Sequence, residues 1–322
     1  MTDPGRHSIW FDGGLVDAHG PHLNVTDRGF QLGDGLFETA RARRGVVIEL
    51  DEHLERLRAG CAVLGLNLDL DDDQLADAIA ELLAAEELDG TGRDGGPVGD
   101  AAIRITVTRG PLERRGLLPA GFGELVATVA VQCWPFGPTS AELLARGVRA
   151  ITSSIRRDPG SPLSGVKTTS RADYVYARLE AERAGADDAL FLTLDGAISE
   201  ATAANLFVLT GQTLATPPLS AAILAGTTRT WLLGHAERLG LTAAEVDLQP
   251  DQLLAADEAF LTGSVAGIVP IVSLDGRPVG SGRPGPRGRA IRAAREAWID
   301  AMSMAALMPA EPDGIASDGS KA

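Results

Sequence analysis

An α+β chain in two halves is the fold class that this sequence of 322 residues predicts, on three observations. Apolar periods of two and of three to four residues mix along the chain without the regular βαβ rhythm of a doubly wound sheet. No Gly-x-Gly-x-x-Gly follows a strand-like run, which disfavours a dinucleotide-binding domain. Residues 133–140 (CWPFGPTS) place two prolines and a glycine between ordered stretches, as a domain boundary would. The predicted organisation is a small N-terminal domain over 1–132, a linker over 133–140, a larger C-terminal domain over 141–305 and a loose polar tail over 306–322.

In the first half, residues 8–11 read as a short strand turned by Gly13 and Gly14. Strands follow over 35–42 and 46–50, joined by a hairpin turn at Arg44 and Gly45. From 51 to 64 the period changes: Leu54, Leu57, Cys61 and Leu64 fall three or four apart, a helix with Asp51 as its cap. Leu75, Ile79 and Leu82 mark a second helix over 71–87. Residues 89–100 are Gly-rich loop, and strands over 102–108 and 124–132 flank a Gly/Pro loop at 109–122. The second half reads as a helix at 171–183, strands at 188–194 and 205–209, and a helix at 228–238. Strands at 257–262 and 267–272, a turn at Asp275 and Gly276, and a helix at 287–304 complete it.

Composition excludes several roles. With 44 Asp and Glu against 29 Lys and Arg, the formal charge is -15, which repels nucleic acid and anionic lipid. No apolar run reaches the roughly 18 residues of a membrane span and the N-terminus lacks an apolar targeting core, so a cytoplasmic protein is expected. Cys61 and Cys133 are too few for a disulfide scaffold, and the five histidines form no metal-ligand spacing, so no metal is expected.

Only two residues are lysines, Lys167 and Lys321, and Lys321 lies in the polar tail. Drift from Lys to Arg accounts for the lysines lost; a role that Arg cannot fill would account for the one kept. Lys167 stands in SPLSGVKTTSRADY, after a Pro/Gly/Ser loop and before a helix, where it could point into a cleft. A desolvated amine there would have a lowered pKa and could attack a carbonyl. Lysine chemistry on pyridoxal phosphate also needs an acid near the pyridine nitrogen and a phosphate cradle. Glu200, in DGAISEATAANLFVL, either faces water at a strand start or, if buried, needs a partner such as a protonated pyridine nitrogen. Gly226, Thr227 and Thr228 sit in front of a helix whose free N–H groups suit an anion, or Thr is simply a cap. Ser264 follows another strand, and Arg56 is either a solvated arginine or a phosphate neutraliser.

These stretches together resemble the fold-type IV pyridoxal-phosphate enzymes: branched-chain aminotransferases, D-amino-acid transaminases, (R)-amine transaminases and aminodeoxychorismate lyases. The resemblance covers about residues 9–302. It rests on DRGFQLGDGLFET (27–39), HLERL (53–57), VKTTSRADY around Lys167, ISEATAANLF around Glu200, LAGTTR ending at Arg229, and FLTGSVAGIVPI (260–271). It implies a small N-terminal α/β sandwich domain, a larger C-terminal pseudo-barrel domain, and a homodimer that shares its active sites. By the same resemblance Lys167 is the Schiff-base lysine and proton shuttle, and Glu200 keeps the pyridine nitrogen protonated. Arg56, Gly226, Thr227, Thr228 and Ser264 bind the phosphate, and Leu224 packs on the ring.

The implied reaction moves an amino group between an amino donor and a 2-oxo acid acceptor. FETAR (37–41) and KTTSRADY differ from the FEGIR and KxGGNY of the branched-chain enzymes, and DRGFQLGDG resembles the D-amino-acid branch. A D-amino-acid or (R)-amine donor is therefore expected. Phe37 stands where the D-type has tyrosine, and in TRGPLERRG the family's Arg-x-His carboxylate trap keeps Arg114 but has Gly116 for the histidine, so Arg104 is a second candidate. The alternatives are a lyase releasing pyruvate, toward which ATAANLF leans, a branched-chain L-amino-acid aminotransferase, and a non-enzymatic cofactor-binding protein.

Overall fold

The computed structural model describes residues 7–90, 100–113, 116–118, 121–137 and 139–307. Its first half holds β1 (Ser8–Phe11), β2 (Gly14–Asp17), α1 (Arg28–Leu32), β3 (Gly35–Arg43), β4 (Val46–Val47), α2 (Leu50–Leu64), α3 (Asp72–Ala85), β5 (Asp100–Thr108) and β6 (Thr128–Phe136). The strands form one antiparallel sheet in the order β2-β1-β6-β5-β3-β4. The period of two divides each strand between the sheet's faces. Leu36 and Ala40 of β3 and Ile103 and Ile105 of β5 are buried; Leu36, Ile103 and Ile105 pack with Leu54 and Leu57 of α2 and Leu75, Ile79 and Leu82 of α3. Phe37 and Thr39 alternate with them and face the second half.

The second half holds α4 (Ala141–Arg146), β7 (Val148–Arg157), α5 (Ala172–Arg183), β8 (Asp188–Thr193), β9 (Ile198–Ala201), β10 (Asn205–Thr210), β11 (Thr213–Thr216), α6 (Thr227–His235), β12 (Thr242–Glu245), α7 (Pro250–Leu254), β13 (Glu258–Gly263), β14 (Gly267–Leu274), β15 (Arg277–Pro278) and α8 (Pro286–Ala306). Its sheet runs β12-β11-β10-β13-β14-β7-β8-β9, with β15 on β14. It curls into a half-barrel: where β9 turns into β10, the N–H of Ala201 donates to the carbonyl of Ala204 at 2.9 Å. Alternate residues again serve two cores. Leu206, Val208 and Leu261 pack with Leu253 of α7, while Phe207, Leu209 and Phe260 pack with Trp231 of α6 and Ile291 of α8.

The two-domain α+β architecture is the one expected, with local differences. Residues 133–136, expected to begin the linker, complete β6 opposite Asp100–Ile103, and the strand starts at Thr128 rather than 124. Pro135 fits there because β1 pairs β6 only at Ala130 and Val131, so that end of β6 lacks a second neighbour. The hairpin turn at Arg44 and Gly45 has both residues at positive φ, 53° and 78°. The strand after it stops at Val47, and α2 begins one residue earlier than expected, with Glu49 rather than Asp51 at its N-cap. Glu49 holds φ 57° without a side-chain cap bond, because its carboxylate instead pairs with the buried Arg295 of α8 at 2.8 Å. α8 also binds the first sheet through Glu296, which accepts from Arg41 at 2.9 and 2.8 Å and from Arg43 at 2.9 Å. Charged side chains thus tie the closing helix to β3.

Candidate active site

A cavity of about 1210 Å³ opens between the two halves, lined by Phe37, Arg56, Lys167, Glu200, Leu224, Gly226, Thr227, Thr228 and Ser264, among others. Nine of the eleven residues singled out in the sequence therefore meet in one place. Arg104 does not line it; its guanidinium stacks on Phe37 at 4.0 Å and donates to Thr106 Oγ1 at 3.3 Å. Arg114 lies outside the described residues.

Lys167 is positioned by backbone pairing to β3. Its carbonyl accepts from the N–H of Phe37 at 3.0 Å, and Thr169 N–H donates to the carbonyl of Gly35 at 2.8 Å. The DRGFQLGDG stretch builds the surface it docks on. Asp27 caps α1 by accepting from Gly29 N–H at 2.7 Å, and α1 ends on Gly33 at φ 66°. Asp34 then accepts from Arg28 at 2.9 Å and Arg109 at 2.8 Å. Gly33 carries the contact to the lysine segment, its carbonyl accepting from Thr169 Oγ1 at 2.9 Å. Lys167 Nζ lies 4.6 Å from the Phe37 ring centroid. Burial brings its pKa down to about 8; Arg56 and Arg171 act in the same direction, and the carboxylates of Glu38 and Glu200 oppose them.

Glu200 lies in β9 and is 5% exposed. Its Oε2 accepts from the backbone N–H of Leu224 at 2.9 Å and from Asn205 Nδ2 at 3.3 Å, and Tyr174 OH approaches Oε1 at 3.5 Å. Burial raises its pKa, with the Leu224 bond opposing, so its charge has a use for a further cation. Gly226 is required beside it: a Cβ there would come within 2.1 Å of Asn205 Oδ1.

At the other end of the cavity α6 begins. The N–H groups of its first turn have no acceptor within the helix, and Thr227 Oγ1 lies 3.2 Å from Ser264 Oγ. Thr262 of the cavity lining has its Oγ1 buried with no partner among the described residues. Arg56 comes from the first half. Its Nε and Nη2 donate to both carboxylate oxygens of Glu38 at 2.8 and 2.6 Å, and its Nη1 donates to the carbonyl of Ala225 at 2.6 Å. One N–H of Nη1 stays free for an anion. The orphaned hydroxyl, the open helix start, the aimed guanidinium, the amine and the buried carboxylate match the two ends of a phosphorylated pyridine aldehyde, so the donor set fits pyridoxal phosphate.

Four contributors were missed in the sequence: Glu38, Asn205, Arg171 and Tyr174. Glu38 carried a signal. It alternates in phase with Leu36 and Ala40, the core face of β3, where a carboxylate demands a partner. Arg56 and the buried His53, 2.7 Å away, are those partners and hold its pKa at about 2 against the burial.

Residues 35–274 match the model of the amino-transferase class IV family. A Methanocaldococcus jannaschii protein, provisionally named a branched-chain-amino-acid aminotransferase, is 35% identical over 278 residues, 86% of this chain and 91% of the relative. The D-alanine aminotransferase of Bacillus licheniformis is 32% identical over 286 residues, 89% and 95% of the two chains. Among solved structures, the T.th. branched-chain amino acid aminotransferase with pyridoxamine 5'-phosphate superposes with a TM-score of 0.82 at 27% identity, covering 91% of this chain and 94% of that one. With a donor set suited to the cofactor and a match across three quarters of its length, the chain belongs to the class IV amino-transferases, the fold-type IV pyridoxal-phosphate enzymes.

Proposed function

We propose that the chain is an aminotransferase that uses pyridoxal phosphate to move an amino group between an amino donor and a 2-oxo acid, with D-amino acids as preferred donors. The observation that carries the reaction is the placement of a lysine amine of pKa about 8 in the same cavity as a buried, hydrogen-bonded carboxylate and an open helix start. When bound, the cofactor supplies an aldehyde that condenses with amines and a cationic ring that withdraws electrons. Lys167 Nζ holds a proton in one state and releases it in the other, so it takes up and returns a proton at the reacting carbon. Glu200 would keep a proton on the ring nitrogen. The N–H groups of Thr227 and Thr228, the hydroxyls of Thr227, Thr228 and Ser264, and Arg56 would hold the phosphate, and Leu224 would pack against the ring.

The D-preference rests on the DRGFQLGDG stretch and the Bacillus licheniformis relative. A branched-chain L-amino-acid reading is supported by the Methanocaldococcus jannaschii and T.th. relatives. The deciding experiment adds D-alanine, L-leucine, (R)-1-phenylethylamine or aminodeoxychorismate to the purified holoenzyme and follows the cofactor's visible spectrum and the products. A change with D-alanine and none with L-leucine supports the proposal; the reverse refutes the D-preference. Pyruvate release from aminodeoxychorismate without an acceptor would replace transfer by elimination, and no response to any donor would refute both. In Lys167→Ala the cofactor's visible absorbance should be lost. We also propose a cytoplasmic homodimer: both cysteines are buried free thiols, and Val25, Phe30 and Leu32 leave 71%, 67% and 47% of their surface uncovered.

A further inference from the structure

Among the described residues, four cationic side chains line the cavity: Arg56, Lys167, Arg171 and Arg178. Arg56 is neutralised by Glu38 at 2.6 Å and Arg178 by Asp188 at 3.2 Å. Lys167 is the amine of the proposed reaction. Arg171, at the N-cap of α5, has no carboxylate within ion-pair distance among the described residues, and its Nε is buried without a partner. Its neighbours are aromatic. The guanidinium carbon lies 4.1 Å from the Tyr174 ring centroid and 5.1 Å from that of Phe37. Two planar faces thus fix the guanidinium beside Phe37, the ring that Lys167 Nζ also approaches at 4.6 Å.

A guanidinium held by two rings and by the Tyr174 hydroxyl, with its Nε unused and no anion among the described residues, is a built receptor for a carboxylate. Other arginines without a carboxylate do not compete for the role. Arg157 gives its Nη2 to the carbonyls of Ser164 and Ala222 and does not line the cavity. Arg104 stands behind Phe37, bonded to Thr106. Burial and the charge of Arg171 both lower the Arg104 pKa, so the pair repel each other until an anion enters.

We propose that Arg171 binds the substrate carboxylate, which makes the substrate class amino acids and 2-oxo acids rather than carboxylate-free amines. This rests on the aminotransferase reading and names the side chain that would select amino-acid donors over amines. A primary amine would occupy the cavity with Arg171 still unpaired, and that uncompensated guanidinium is the element that rejects it.

The test uses the holoenzymes of the wild type, Arg171→Gln, Arg171→Lys and Arg114→Gln. Two quantities are read: kcat/KM for D-alanine, L-leucine and (R)-1-phenylethylamine, and the affinity for 4-methylpentanoate by calorimetry. The unreactive acid reports carboxylate binding without turnover. In Arg171→Gln both the kcat/KM for the preferred amino acid and the 4-methylpentanoate affinity should fall about 10- to 100-fold, the size of a lost charged hydrogen bond. The loss should sit mainly in KM, the cofactor's visible absorbance should persist, and the rate with the amine should be unchanged or higher. Arg171→Lys should recover part of the affinity. If Arg171→Gln does not fold, an amino-acid-specific loss in Arg171→Lys carries the same meaning. Equal losses for amino acid and amine, no loss for either, or the selective loss in Arg114→Gln instead would overturn the proposal. A wild type that turns over the amine and not the amino acids would overturn it while leaving the aminotransferase reading intact. A wild type inert to every donor would remove that reading, and the 4-methylpentanoate affinities would still decide the role of Arg171.

Discussion

Replacing Glu38 by Gln keeps the side chain's shape and removes its charge, which isolates the ion pair that aims Arg56 across the cavity. Glu38 is 1% exposed and receives Arg56 through two bonds and His53 through a third. Burial alone would raise its pKa; Arg56 and His53 together bring it from the ordinary 4.5 to about 2. At about 1.4 kcal/mol per pH unit, that depression is worth about 3 kcal/mol of stability at neutral pH. A group whose folded pKa lies below its unfolded value stabilises the fold fully above the unfolded value. The contribution fades between pH 4.5 and about 2, as Glu38 takes up its proton in the folded state. Glu38→Gln should therefore lower Tm by roughly 5–10 °C at pH 7, and the difference from wild type should shrink steadily below pH 4.5. Thermal unfolding of the two proteins, followed by circular dichroism across that range, measures both effects. Equal Tm values at pH 7, or a difference that does not change with pH, would refute the assignment of Arg56 to a position held by the charge of the buried Glu38.

The remaining predictions bear on the cavity and on the tie between the halves. The rate at which apoenzyme captures added pyridoxal phosphate, read from the visible spectrum, should rise about tenfold per pH unit below pH 8 and level off above it, because only the neutral Lys167 amine attacks; a midpoint near 10 would contradict the desolvated amine. Gly226→Ala should drive Asn205 off Glu200 and Leu224, lowering stability by about 1–3 kcal/mol and weakening cofactor retention. Unchanged retention by dialysis would show that the strand end is not packed as described. Arg295→Met leaves Glu49 buried and unpaired, and urea unfolding should register a loss of about 3–5 kcal/mol.

How much of this was legible in the sequence depends on what each residue's neighbours supply. Helices α2 and α3 announced themselves by their apolar spacing, because that signal is local. β7 did not. In its sequence VRAITSSIRR most residues are polar, yet it lies between β14 and β8. Ser153 and Ser154 are tolerated because Glu180 of α5 accepts from the hydroxyl of each, a partner distant in the sequence. The short strands β11 and β12 were equally silent, since TLAT and TAAE carry few large apolar residues to mark a period of two.

The site divides in the same way. Lys167 stood out by its rarity, and Thr227 and Thr228 by sitting where a helix opens, which are properties of the chain alone. Glu38 and Arg171 matter through what faces them. Glu38 is one residue from Phe37, and strand alternation sends the two to opposite sides of β3, so the carboxylate acts on the cavity from behind the strand, through Arg56 and through its charge on Lys167. Arg171 is one arginine among many until the structure shows that the other cavity guanidiniums are already paired. An excess of 15 negative charges should have left few arginines without a carboxylate. A guanidinium with no carboxylate partner among the described residues, against two aromatic rings and in the cavity of the reacting amine, is a position reserved for an anion brought in from outside.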